Sequence, residues 1–258
     1  MDSLAIESSW LDRGASLIAG TDEVGRGAWA GPVVAGMVAV PRKLYYSLPD
    51  ELHGIDDSKR LSPQQRALLA PRIMAHVAWG LGAATSREIA ESGFAPAMRM
   101  AYHRAYQELL TALPCAPDVL ITDAVQLPQA QVRVDPHPRA DQRCLSVAMA
   151  SILAKVHRDR LMRRFDPVYP LYDFANNKGY GTGRHQEALF RFGPCAVHRA
   201  SFRPVMLAVS QLLKTHSVSS AHSSSAAAFK DEVRESAVLA LGSAGADSIE
   251  NPYHRSLA

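Results

Sequence analysis

Two neighbouring carboxylates and a glycine-flanked arginine stand together in Thr21-Asp22-Glu23-Val24-Gly25-Arg26-Gly27, directly after the apolar run Leu17-Ile18-Ala19-Gly20. Asp22 closes that run, and Asp123 closes a second one at 119–122. In an α/β sheet the carboxyl ends of strands are the usual place for chemistry, so two acids placed there could share a divalent ion. Mg²⁺ and Mn²⁺ take oxygen ligands, and holding two of them needs several converging carboxylates. The spacing excludes a local metal loop, so these acids could meet only through the fold. The plainer reading is that each strand-end Asp caps a turn. Asp22 and Glu23 also point to opposite faces of a strand unless the strand has already bent at the glycines.

Gly25-Arg26-Gly27 allows backbone N–H groups close to a phosphate or sugar, and arginine suits phosphate. Neither a GK[ST] loop nor a GxGxxG pattern accompanies it. Lys178-Gly179-Tyr180-Gly181 offers a cation and an aromatic ring, a pair that fits the phosphate and ring faces of a nucleotide. Each segment alone is equally a glycine turn or a loop anchor.

The elements needed to position these groups are legible in outline. Apolar runs at 17–22 and 32–40 predict paired strands joined at a 25–31 bend, with further strands at 77–84, 119–122 and 132–135. Residues 44–59 look like a loop. Ser62-Pro63-Gln64-Gln65 predicts a capped helix start, and Pro71 should kink or shorten that helix. Helices are expected at 95–113, with Met98, Tyr102, Tyr106 and Leu109 as its apolar positions, and at 145–165. Strands followed by helices over some 200 residues predict an α/β domain.

The 258 residues carry 28 Lys and Arg against 25 Asp and Glu, with 25 against 20 in residues 1–215. This mild basic excess permits nucleic-acid binding without requiring it. Cys115, Cys144 and Cys195 have no zinc or disulfide spacing. No apolar run reaches the ~18 residues of a membrane span, and Asp2, Glu7 and Asp12 stand where a signal peptide needs basic residues. The expectation is a soluble, cytoplasmic protein with no membrane association. Six serines in the nine residues 217–225 read as a flexible linker, followed by a short helix at 226–241.

Taken together, TDEVGRGAWAGPVVAG, DDSKRLS, VLITD, ASILAKVHRD, NKGYGT and HRASFRPV resemble the ordered motif series of bacterial type 2 ribonuclease H, ribonuclease HII, over roughly residues 17–210. The resemblance implies an α/β ribonuclease H-like fold, a central mixed β-sheet flanked by helices, with a helical C-terminal part. It implies an N-terminal extension at 1–14, a catalytic domain at 15–215 and a tail at 216–258. The family's metal-binding carboxylates carry over to Asp22, Glu23, Asp123 and Asp141. Its sugar reader carries over to Gly25, Arg26 and Gly27, its stacking tyrosine to Tyr180, and phosphate contacts to Ser58, Lys59 and Lys178. The implied activity is hydrolysis of RNA in RNA/DNA hybrids and cleavage 5′ of single ribonucleotides in duplex DNA. Two Mn²⁺ or Mg²⁺ ions would assist a monomer, leaving 3′-hydroxyl and 5′-phosphate ends. A non-catalytic hybrid binder would be expected to lack one of the acids, and an unrelated two-metal nuclease would not need the glycine-arginine-glycine and tyrosine pair. The family often has Asp-Gly where this chain has Asp123-Ala124, and His where it has Asn177.

Overall fold

The computed structural model describes residues 5–127 and 130–219, with side chains through 214. Residues 217–219, read as the start of a serine-rich linker at 217–225, are helical and continue the last helix, while the rest of that linker from Ser220 and the short helix expected at 226–241 lie outside the described residues. In chain order the elements are α1 (Ala5–Asp12), β1 (Leu17–Val24), β2 (Val33–Pro41), α2 (Arg42–Tyr46), α3 (Pro63–His76), β3 (Ala78–Ala84), α4 (Ser86–Ser92) and α5 (Phe94–Thr111). They continue with β4 (Val119–Asp123), β5 (Val134–His137), α6 (Leu145–Phe165), α7 (Phe174–Asn177), α8 (Gly183–Phe192) and α9 (Arg203–Ser219). The described chain parts into two compact units. One is built from residues up to 24, 33–83 and 98–158, the other from 25–32, 84–97 and the described residues from 159 on.

The first unit is a five-stranded mixed sheet in the order β3-β2-β1-β4-β5. β1 pairs antiparallel with β2 and parallel with β4, which pairs parallel with β5. Helices approach this sheet where it has glycines. A Cβ on Gly20 would fall 2.4 Å from the backbone of Ser146 and Val147, and one on Gly36 would fall 2.5 Å from the carbonyl of Ala150, so α6 lies directly on β1 and β2. Gly80 and Gly82 of β3 admit α5 in the same way, through Ala105, Leu109 and Ala101. Val38, Val40, Leu69, Ile73, Met149 and Ile152 form the core between sheet, α3 and α6.

α3 begins as the sequence predicts: Ser62 accepts from the backbone N–H of Gln65, and the Gln65 side chain accepts from the backbone N–H of Ser62. Pro71 does not shorten the helix, which runs on to His76. Proline removes one backbone donor, but Leu69, Ala70 and Ile73 on either side of it are held in the core. The 44–59 stretch is not all loop either, since α2 and a 3-10 turn at Asp50–Leu52 lie in or across it.

Helix α1 packs through Ile6, Trp10 and Leu11, and its fully buried Glu7 caps α6. The Glu7 carboxylate accepts from the backbone N–H of Leu145 (2.9 Å), the N–H and hydroxyl of Ser146 (2.9 and 2.7 Å) and the Tyr45 hydroxyl (3.0 Å). Burial raises the pKa of Glu7, and the hydrogen bonds oppose that rise.

In the second unit, Tyr172, Phe174, Met162, Ala188 and Cys195 form one small core, and Leu189, Val205 and Ala208 of α8 and α9 form another. Thr182 caps α8 by accepting from the N–H of His185.

Candidate active site

The register of β1 and β4 places the first two acids. Thr21 faces Thr122 in the parallel ladder, so Asp22 and Asp123 follow as neighbours at the carboxyl ends of adjacent strands. Asp22 is 7% exposed. Its carboxylate accepts from the backbone N–H of Glu23 at 2.8 Å and from the Ser151 hydroxyl of α6. Ser151 in turn shares a 2.8 Å hydrogen bond with Ser58. Burial pushes the Asp22 carboxyl up to about 7; Ser151 opposes the rise, while the negative charges of Glu23 and Asp141 add to it.

Asp141 is carried by a 3-10 turn, Ala140–Gln142, and is buried. That turn is tied to β4, because Asp123 Oδ1 accepts from the backbone N–H of Ala140 at 3.2 Å. The Lys59 ammonium donates to Asp141 Oδ2 at 2.8 Å, and this bond raises the pKa of Lys59. Gln142 donates to Asp57 at 3.3 Å, which ties the 56–59 loop to the same turn.

Glu23 leaves the strand on the other face. The β1–β2 pairing continues through Val24, so the strand has not bent before the second acid. Tyr102 of α5 donates its hydroxyl to the Glu23 carboxylate. The sequence showed Tyr102 only as one apolar position of a helix, and no local signal marked it as a partner of Glu23.

Asp22, Asp123 and Asp141 thus come together in the first unit, and Glu23 stands at the same strand end, close enough for its charge to act on Asp22. Among the described residues, no three His, Cys, Asp or Glu side chains are arranged as they stand to hold one ion. The donor set nevertheless suits a hard divalent cation: it is all carboxylate, burial first and the charges of Glu23 and Asp141 after it raise Asp22, and its buried Asp141 is matched by an ammonium.

The remaining sequence-predicted residues divide between the units. Ser58 is buried against Ser151, with Arg66 donating to its carbonyl at 2.5 Å, while the Lys59 side chain is largely exposed around its bond to Asp141. In the second unit, Gly25 takes φ 93° and Arg26 and Gly27 are exposed. Arg199, fully buried, shapes this loop: Nε donates to the Gly31 carbonyl at 2.9 Å and Nη1 to the Arg26 carbonyl at 3.0 Å. Lys178 and Gly179 both adopt left-handed backbone, φ 54° and 80°. Lys178 donates to the Ala175 carbonyl, and Tyr180 is half-buried.

A five-stranded mixed sheet flanked by helices, with β1 antiparallel to β2 and parallel to β4, is the architecture of the ribonuclease H-like fold. The fold is similar to that of the ribonuclease H2 from Pyrococcus horikoshii OT3, with TM-score 0.63 and 24% identity over 77% of this chain and 99% of that one. It is also similar to Bst-RNase HIII solved in complex with Mn²⁺, with TM-score 0.62 and 22% identity over 76% of this chain and 70% of that one. The family profile described as Ribonuclease HII matches residues 19–205. The Ribonuclease HII of Chloroflexus aurantiacus is 45% identical over 213 residues, 82% of this chain and 98% of that protein. The chain belongs to the ribonuclease HII family and is an enzyme, a nuclease.

Proposed function

We propose that this enzyme cuts the RNA strand of RNA/DNA hybrids, and cuts duplex DNA on the 5′ side of a single embedded ribonucleotide, leaving 3′-hydroxyl and 5′-phosphate ends. The observation that carries the reading is the pairing of Asp22 and Asp123 at adjacent strand ends, with the Asp141 turn bound to Asp123. The four carboxylates Asp22, Glu23, Asp123 and Asp141 would hold two divalent ions, Mn²⁺ or Mg²⁺. Such ions supply Lewis-acid activation of a water and neutralise the scissile phosphate. A relative in fold was solved with Mn²⁺, which supports that choice.

The chain's own groups have separable tasks. Ser151 and the Glu23 N–H hold the Asp22 carboxylate, and Tyr102 holds Glu23, so the acids are set before substrate arrives. Lys59, exposed along its stem, can turn its ammonium from Asp141 to a backbone phosphate. Ser58, which the motif series assigns as a phosphate contact, is buried and bonded to Ser151 and in this reading positions that serine, and Lys178 is a further phosphate partner. The Gly25, Arg26 and Gly27 loop reads the ribose 2′-hydroxyl, the group that tells RNA from DNA, and Tyr180 stacks on the sugar of the next deoxynucleotide. The domain range 15–215 is read as one catalytic module acting as a monomer. In this reading the enzyme works in the cytoplasm and serves to remove ribonucleotides from DNA during replication and repair.

The test compares an all-DNA duplex with the same duplex carrying one ribonucleotide, with Mn²⁺ or Mg²⁺ and with wild-type or Asp123→Asn protein. Cleavage confined to the ribonucleotide duplex and lost in the variant is expected. Equal cutting of both duplexes would defeat the sugar-reading assignment, and undiminished cutting by the variant would defeat the metal assignment.

A further inference from the structure

Behind the Tyr180 loop two histidines are buried in contact, His185 at 0% and His198 at 2% exposure, and neither takes part in the chemistry described above. His198 Nδ1 lies 3.0 Å from the backbone N–H of Cys195, and its Nε2 lies 3.0 Å from His185 Nε2. His185 Nδ1 lies 2.9 Å from the carbonyl oxygen of Tyr180. The protons in this line can be assigned from its two ends. A backbone N–H can only donate, so His198 Nδ1 accepts and its ring proton sits on Nε2. A carbonyl can only accept, so His185 Nδ1 carries the proton and its Nε2 accepts from His198. The two ends agree only if both rings are neutral and in opposite tautomers. A second proton on either ring would set a donor against a donor. Burial favours the neutral state of both, pushing His198 down to about 3. The Cys195 thiol, 3.1 Å from the same His198 nitrogen, is held protonated by burial and is compatible with that nitrogen as acceptor.

The rings cannot swing freely. Tyr172 packs on His198 with centroids 4.8 Å apart, and Phe174 meets His185 edge-on at 5.5 Å. The other side of the loop is fixed as well, since the Gly179 carbonyl accepts from the N–H groups of Trp29 at 2.8 Å and Ala30 at 3.3 Å. Tyr180 therefore sits between two clamps, and the line from Cys195 supplies one of them.

We propose that His198 and His185 are positioning residues, a one-directional hydrogen-bond line from the Cys195 amide to the Tyr180 carbonyl that fixes Tyr180 for the sugar it meets. This rests on the reading of Tyr180 as a substrate contact, and the test separates the two. First, long-range ¹H–¹⁵N spectra of the wild-type protein should show His185 protonated on Nδ1 and His198 on Nε2, both neutral between pH 6 and 8. Any other tautomer pair overturns the proposal without a variant. Second, His198→Asn keeps an acceptor near the Cys195 N–H but cannot reach His185, and should lower kcat/KM on a single-ribonucleotide duplex about tenfold, the order of one lost buried hydrogen bond. Tyr180→Ala should lower it at least as much, and the double variant should be no worse than Tyr180→Ala alone. Additive losses would mean that His198 acts through the fold at large and would overturn the positioning role. A harmless Tyr180→Ala would overturn the substrate reading and the role with it, whereas a harmful Tyr180→Ala beside a harmless His198→Asn would overturn the role alone.

Discussion

Asp22→Asn should destroy cleavage and yet stabilise the metal-free protein at neutral pH and above. Buried and surrounded by Glu23 and Asp141, Asp22 has its carboxyl pushed from 3.8 to about 7. At ~1.4 kcal/mol per pKa unit, keeping it ionised in the fold costs up to about 4 kcal/mol. The sign follows from linkage. Below pH 3.8 the carboxyl is protonated in folded and unfolded chains alike, and the variant gains nothing. Between 3.8 and 7 the unfolded chain is ionised while the fold retains the proton, so the wild type loses stability as pH rises. Above about 7 the whole cost is present. Asparagine has no charge to bury and can still accept from the Glu23 N–H. Urea unfolding with a chelator at several values between pH 5 and 8 should show Asp22→Asn ahead of wild type by a margin that widens to roughly 2–4 kcal/mol. Adding Mn²⁺ should then raise the stability of the wild type but not that of the variant. A margin independent of pH, or a variant less stable than wild type at pH 8, would refute the reasoning.

Three further outcomes follow from single contacts. Ala124 takes φ 56° immediately after Asp123, so Ala124→Gly, which restores the residue the family often has there, should raise stability by about 1 kcal/mol; an unchanged or lower thermal midpoint would count against strain at this turn. Tyr102→Phe removes the hydroxyl that holds Glu23 while leaving the buried ring in place, and should cut kcat about tenfold at saturating metal with little loss of stability. Glu7→Ala leaves the Leu145 and Ser146 amides and the Ser146 hydroxyl without their buried acceptor; a loss of about 3 kcal/mol in equilibrium denaturation is expected, and a loss below 1 kcal/mol would show that water replaces the carboxylate.

What could be read beforehand was whatever has a local cause. The α3 start follows from Ser62, Pro63 and Gln65 within one turn, and α6 follows from its own spacing of Leu145, Met149 and Ile152. Asp22 and Asp123 were visible because each ends an apolar run. Asp141 was not visible in that way: it sits on a 3-10 turn after a strand whose four residues are all half-buried, and only the motif series pointed to it. Groups defined by tertiary contact were out of reach. Glu7 read as an acid in an extension, but 138 residues later it meets the N-terminus of α6. His185 and His198 stand 13 positions apart with no pattern between them. The divergence of Asp22 and Glu23 was foreseen as a rule of strands, with a bend at the glycines as the condition for their sharing a face, and the strand stays paired through Val24.

The Glu7 cap also orders events in time. β1 and β2 are sequence neighbours and can pair as soon as both are made, whereas α6 cannot receive its cap until the chain has grown past residue 146. At ~5–20 residues per second of synthesis, the nascent chain spends seconds with a paired sheet nucleus and a buried-type glutamate still in water. Closing so distant a contact is also the slow kind of step in refolding. The helix that supplies Ser151 to Asp22 is made after that point as well, so that a half-made chain carries Asp22, Glu23 and Asp123 but neither Asp141 nor the serine that holds Asp22.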